Sequence, residues 1–231
     1  MSQDSETIVI SLGGSVIVPG AIQINFLKKF REFILNFLKE GKRFIIVAGG
    51  GAIARNYQQA ADEIIQLTDE DKDWLGIHAT RLNAHLLRTI FKKEAYPVVL
   101  DSPHKPVKGK NQRLFIASGW LPGWSTDYDA VLLAKRFKAT KIINASDIDY
   151  IYDKNPDEFK DAKPVKEMKW SQYLKIAGKK WIPGMKVPFD PIASKVAKNS
   201  KMTVIFTKGT DLKNLAEIIK GNNFNGTTIH P

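Results

Sequence analysis

The sequence predicts an α/β protein, a three-layer αβα sandwich around a mainly parallel central sheet. Short, continuously apolar, β-branched runs recur along the chain, as strands buried on both faces of a sheet do. Segments with apolar residues at helical spacing separate them, and this alternation marks a doubly wound sheet. Several of the runs end in glycine clusters, where such a sheet opens for a ligand.

The predicted strands are "TIVISL" (7–12), "RFIIVA" (43–48), "YPVVL" (96–100), "RLFIA" (113–117), "KIINA" (141–145) and "MTVIFT" (202–207), with "TTI" (227–229) closing an edge. The first long helix, "INFLKKFREFILNFLKEG", puts Phe26, Leu27, Phe30, Phe33, Ile34, Phe37 and Leu38 on one face, and Gly41 suits its C′ position. Two more helices are expected over 52–67 and 73–94. The segments 127–137, 190–200 and 211–221 each begin with Asp, a good N-cap, and Asp73 suits the same role. The Lys- and Pro-rich stretch 153–189 has weaker periodicity and is expected to form short helices and loops. The whole chain, 1–231, is taken as one domain.

At 43% hydrophobic and 26% charged, the 231 residues exclude a disordered chain. The absence of cysteine excludes disulfides, thiol catalysis and Cys-based zinc sites. "MSQDSET" does not read as a signal peptide, and no apolar run approaches a membrane span, so a cytoplasmic protein without a membrane partner is expected. The net charge of +11 suggests a phosphate-bearing partner. The lysines are scattered rather than blocked, so nucleic acid is not expected as that partner.

Three glycine clusters carry the chemistry. "SLGGSV" follows the first strand, "VAGGGAIARNY" the second and "ASGWLPGWSTDYDA" the fourth. Glycine lets backbone N–H groups approach an anion, and a helix N-terminus adds a favourable dipole. None is a Walker P-loop or a convincing dinucleotide fingerprint, which argues against those classes. His78 and His85, seven apart, lack the spacing of a metal pair and are read as structural. Trp120 and Trp124 are expected in the core or an interface, and "NGT" at 225–227 is a turn signal.

The ordered set "LGGSV", "GGGAIARNY", "DWLGIHATRLNAHLL", "AYPVV", "PGWSTDYDAVLLA", "DIDYIYDKNP", "FDPIASKVA" and "IKGNNFNGTTIHP" resembles the amino-acid kinase superfamily, and within it the archaeal-type uridylate kinases. The resemblance implies phosphoryl transfer from ATP, with Mg²⁺, to UMP in pyrimidine nucleotide synthesis. It also implies a homo-oligomer, commonly a hexamer, with an acceptor half over about 1–125 and a donor half over about 126–231. Gly49, Gly50, Gly51 and Arg55 match the site of the UMP phosphate, with Asp73 near the nucleoside and Thr126 between the nucleotides. Ser15, Asp149, Tyr152, Asp153 and Pro156 fall on the ATP side. Gly13, Gly14, Asp127, Asp190 and Lys195 fall at the transfer centre, with no metal ligand assigned. Two positions depart from the pattern. Ser11 stands where many relatives carry a lysine, and Tyr150 where they carry a glycine. Without that lysine, the amides of Gly13 and Gly14 are expected to meet the transferring phosphate, and Lys195 or Lys186 to supply charge. A non-catalytic uridine-nucleotide binder and a same-fold kinase of another small phosphate are the alternative readings.

Overall fold

The computed structural model describes residues 6–108, 112–154, 158–178 and 187–231. In chain order its elements are β1 (Thr7–Leu12), α1 (Gly14–Ile17), α2 (Ile24–Lys39), β2 (Arg43–Ala48), α3 (Gly51–Ile64), α4 (Asp69–Ile90), β3 (Leu114–Ala117), α5 (Thr126–Arg136), β4 (Lys141–Ser146), β5 (Ile151–Tyr152), β6 (Pro164–Val165), β7 (Glu167–Lys169), α6 (Trp170–Ala177), α7 (Pro191–Asn199), β8 (Thr203–Lys208), α8 (Leu212–Lys220) and β9 (Thr227–His230). Seven strands form one sheet in the order β3-β2-β1-β4-β8-β9-β7. All its pairings are parallel except β8 with β9.

Alternation along each strand divides the core into the two outer layers, because successive side chains point to opposite faces. Ile8, Ile10, Leu12, Phe44 and Ile46 pack with α2, α4 and α8 through Phe30, Ile34, Leu87 and Ile218. Val9, Ile45, Val47 and Phe115 face the other way, toward α5, α6 and α7 through Leu133, Tyr173 and Ala197. The expected αβα sandwich is thus the observed one.

The details differ in places. Residues 96–100 form no sheet strand; only the isolated bridges Ala95↔Leu114 and Leu100↔Ala117 attach this stretch to β3. Pro97 lacks the amide that a ladder needs. Asp190 and Asp211 cap their helices as expected, accepting from Ile192 N and Ala193 N and from Asn214 N. Asp127 and Asp73 do not. Ser125 caps α5 through Tyr128 N, and Thr68 caps α4 in a reciprocal box with Asp71. A Ser or Thr just upstream reaches the first-turn amides, which leaves both aspartates inside the helix and available for other contacts. The short pieces β6 and β7 and the helix α6 fall in the weakly periodic stretch. Trp170, Tyr173 and Phe189 nevertheless bury there as part of the core.

Candidate active site

Since β1, β2 and β3 run parallel, the loops that follow them open at one edge of the sheet. Leu12, which leads into the first loop, pairs with Ala48 on one side and Ala145 on the other. The first two glycine loops pack backbone to backbone. A Cβ on Gly14 would lie 1.9 Å from Gly51 N, and one on Gly51 would lie 2.4 Å from Gly14 O. Gly51 also has φ +65, a conformation that side chains disfavour. What comes close to Gly14 is therefore the second loop, not a ligand. Gly13 N donates to Ala145 O at 2.8 Å, so this amide is already engaged. That corrects the expectation for Gly13. The amides of Gly14 and Ser15 open α1 and have no acceptor within the helix, whereas Val16 N donates to Gly13 O.

Carboxylates gather beside this junction. Asp127 Oδ1 accepts from Ser11 Oγ at 3.2 Å and Asn144 Nδ2 at 3.0 Å, and its Oδ2 accepts from Asp190 N at 3.3 Å. The serine that replaces the expected lysine thus anchors Asp127. Asp190 Oδ2 accepts from Ser125 Oγ at 2.5 Å while its Oδ1 caps α7. Burial, and then the charge of Asp190, push the Asp127 carboxyl up to about 7; the donors from Asp190 N, Ser11 and Asn144 oppose this. Tyr173, fully buried, grips the Phe189 peptide on both sides, donating to its carbonyl at 2.8 Å and accepting from its amide at 2.6 Å. That fixes the chain as it enters Asp190. Among the described residues no group of three or more His, Cys, Asp or Glu is arranged to hold a metal ion.

On the acceptor side, Arg55 is the fifth residue of α3, exposed, with its guanidinium 3.5 Å from Pro19 O. Asp73 projects from α4 and accepts from Gly123 N at 2.6 Å; burial raises its carboxyl above the ordinary value. Thr126 opens α5, next to Asp127. Several residues that sequence reasoning missed hold the loops in place. Asn83 donates to Gly49 O and Gly50 O, and Thr80 accepts from Gly119 N. Asp129 Oδ2 accepts from Trp120 N at 3.2 Å while Arg81 donates to Trp120 O at 3.2 Å. Asp129 Oδ1 is buried with no partner, and burial pushes this carboxyl well above the ordinary range. A signal was present: Thr80 and Asn83 interrupt the otherwise apolar buried stripe Ile77, Ala84, Leu87 of α4. Trp120 and Trp124 are half-exposed, so neither is a core residue; Trp124 stacks on Tyr128 at 4.3 Å. His78 and His85 are both exposed.

On the other side, a polar depression of about 150 Å³ is lined by Asp149, Tyr150, Thr207, Lys208, Asp211, Asn214 and Asn225. Lys208 Nζ lies 3.8 Å from Asp149 Oδ1, and Tyr150 donates to Asn225 Oδ1 at 3.2 Å. Tyr152 and Asp153 do not line it. Asp153 instead exchanges hydrogen bonds with the Lys163 backbone and closes the β5–β6 hairpin. Lys195 is exposed on α7, one residue past the buried Ala193–Ser194 pair. Pro156 and Lys186 lie outside the described residues.

A family model described as "Amino acid kinase family" matches residues 6–208. The uridylate kinase of Thermococcus kodakarensis is 32% identical over 226 residues, 97% of this chain and 99% of the relative. The crystal structure of uridylate kinase from Archaeoglobus fulgidus superposes with a TM-score of 0.80 at 30% identity, over 96% of this chain and 99% of that one. UMP kinase from Bacillus anthracis, at 21% identity over 97% and 96% of the two chains and a TM-score of 0.78, shares the fold.

Proposed function

Because this chain belongs to the amino acid kinase family, we propose that it is a uridylate kinase, transferring the γ-phosphoryl of ATP to UMP in the cytoplasm to give UDP and ADP. One observation carries the reading. Gly14 and Gly51 pack together in the loops after β1 and β2, and Asp127, tied to Ser11 of β1, lies beside Asp190, in a chain that matches a uridylate kinase along 97% of its length. Phosphoryl transfer depends on positioning and on neutralising charge, and the acceptor phosphate is already an oxyanion, so no strong base is needed.

In this reading residues from about 1 to 125 mainly hold the acceptor and from about 126 to 231 mainly the donor, with Thr126 at the boundary. The amides of Gly50 and Gly51 and the Arg55 guanidinium bind the UMP phosphate, with Gly49 shaping the turn. Asp73 and Thr126 complete that side. The amides of Gly14 and Ser15 face the transferring phosphoryl, and Lys195 adds a full positive charge. Asp149 leads the donor side, with Tyr152, Asp153 and Pro156 following in the same segment. Gly13 acts through its hold on Ala145 rather than on substrate.

Mg²⁺ fits this site in a specific way. Two adjacent carboxylates, one with its proton affinity raised by burial and then by the other's charge, form a place that a cation relieves. With no larger ligand cluster among the described residues, phosphate oxygens would supply most of the coordination, and Asp127 and Asp190 the protein's share. When bound, the ion would neutralise charge building on the transferred group.

Self-association belongs to the same proposal, up to the hexamer implied by the family. Helix α3 buries only Ala52, leaving Tyr57 65% and Ile64 86% exposed two turns apart. Such a face on a folded chain marks an interaction surface. Among the described residues no helix is long and apolar enough to cross a membrane.

The test is a coupled ADP-release assay across nucleoside monophosphates and small organic phosphates. Turnover with UMP above all others supports the reading. Preference for another phosphate reassigns the acceptor, and binding of UMP without turnover makes the protein a non-catalytic uridine-nucleotide binder. Sedimentation velocity reads the oligomer.

A further inference from the structure

The buried face of α4 carries two polar side chains three residues apart, and each takes hold of a different glycine loop. Asn83 is 1% exposed and Thr80 is 6% exposed. Asn83 Nδ2 donates to Gly49 O at 2.8 Å and to Gly50 O at 3.1 Å. Thr80 Oγ1 donates to Ile77 O, in its own helix, at 2.6 Å. With its proton used there, the hydroxyl offers an accepting lone pair, and Gly119 N donates to it at 2.9 Å.

These contacts determine which way the amides face. A trans peptide sets the carbonyl of one residue and the N–H of the next on opposite sides. With the Gly49 and Gly50 carbonyls drawn to Asn83, the Gly50 and Gly51 amides face away from α4. On that side Gly51 N lies against Gly14, at the meeting of the first two loops. One amide side chain thus turns two N–H groups outward together. Without it, both peptides are free to rotate and to bury an unsatisfied group instead. Thr80, one turn earlier, holds the third loop in register with the second.

We infer that Asn83 and Thr80 are positioning residues for the acceptor phosphate: they touch no substrate and act by aiming the amides of the second loop and aligning the third loop with it. The inference deepens the uridylate kinase reading and rests on its placement of the acceptor at Gly49–Gly51. Asn83 is the sharper of the two, because only a donor satisfies two carbonyls. An Asp of the same shape presents acceptors to them, whereas an Ala leaves room for a water that donates to both.

The experiment is steady-state kinetics of wild type, Asn83→Asp, Asn83→Ala and Thr80→Val, varying UMP and ATP separately, with a thermal melt of each. Wild-type turnover of UMP tests the function reading by itself. If another phosphate proves to be the acceptor, the variants are scored on that acceptor. Misaimed amides are expected to cost Asn83→Asp up to about 100-fold in kcat/KM for UMP. The KM for ATP should stay within about threefold, and Asn83→Ala should fall between wild type and Asn83→Asp. Thr80→Val should show a smaller loss on the same substrate. Folded variants with wild-type constants for UMP overturn the inference. So does an equal rise in both KM values with a lowered melt, which is a structural role only. If neither Asn83 variant folds, Thr80→Val decides: a UMP-selective loss supports the inference and unchanged constants overturn it.

Discussion

The two sides of the proposed site are built from different material. On the proposed acceptor side, Arg55 apart, the phosphate groups are backbone amides of glycine loops held by buried side chains of α4 and by glycine-to-glycine packing that leaves no space for a Cβ. On the proposed donor side they are side chains, set around a polar depression lined from loops, the end of β8 and the start of α8. Backbone sites tolerate little, because a shift of one loop moves another. Side-chain sites accept replacements one at a time. The departures from the family pattern agree with this contrast. Tyr150 stands for a glycine on the donor side without disturbing the chain, while Gly14, Gly49, Gly50 and Gly51 are all present. Ser11, between the two, gives up a charge and becomes an anchor for Asp127.

The boundary between the sides is where the largest effect is expected. Asp127→Asn should lower turnover by about 10²–10³-fold, the usual cost of one preorganised charged group. It should also stabilise the unliganded protein. The folded carboxyl holds its proton up to about 7, against an ordinary value of 3.8, so the folded state binds more protons than the unfolded one in between. Stability from this group is therefore lost as pH rises through that window. The melting advantage of Asp127→Asn should grow from pH 3.8 to about 7 and then level off. A variant that melts lower than wild type above that window would show that Asp127 is a structural anchor, not a strained functional group.

Gly14→Ala tests the acceptor side directly. A methyl 1.9 Å from Gly51 N forces the two loops apart. We expect about 100-fold lower turnover and a loss of about 3 kcal/mol in stability, read by kinetics and denaturant unfolding. Near-normal activity would mean that the loop junction is soft, and the contrast between the two sides would fail.

Much of this was legible in the sequence. Apolar runs and helical periods marked the sheet and its layers, because burial on both faces imposes its own pattern. The glycine clusters marked the ligand edge. Their reason was hidden: no one-dimensional pattern shows that Gly14 faces Gly51, since this contact joins two loops across the sheet. The capping roles of Asp127 and Asp73 were misassigned because Ser125 and Thr68, two and five residues earlier, already start and cap these helices. Asn83 and Thr80 were readable only as polar breaks in an apolar stripe. The stretch 153–189 was obscure because strands of two and three residues carry no period.

A smaller effect is expected at Arg55. Its guanidinium is exposed, so water screens part of its pull on a phosphate. Arg55→Ala should weaken UMP binding by about 2 kcal/mol, roughly 30-fold, with ATP affinity unchanged. Isothermal titration of each nucleotide checks this. Equal losses for both nucleotides would place Arg55 at the boundary rather than on the acceptor side.

The smallest effect is expected at Tyr150, on the proposed donor side. Among the described residues only Lys138 and Lys201 combine a side chain with positive φ, so nothing in the backbone at Tyr150 calls for glycine. The ring instead walls one flank of the depression, with its hydroxyl tied to Asn225 Oδ1 at 3.2 Å. An aromatic wall against a nucleobase contributes about 0.5–1.5 kcal/mol beyond area burial. Tyr150→Gly should therefore raise the KM for ATP by about 3–10-fold and relax the preference among nucleoside triphosphates, with the KM for UMP constant. Asn225→Ala frees the hydroxyl but leaves the ring in place, so it should change the ATP constant less. The order of these two variants separates a wall from a latch: a larger effect from Asn225→Ala would mean that the hydrogen bond, not the ring, shapes the pocket. A shift in the UMP constant alone would move the depression to the acceptor side and dissolve the division on which the comparison rests.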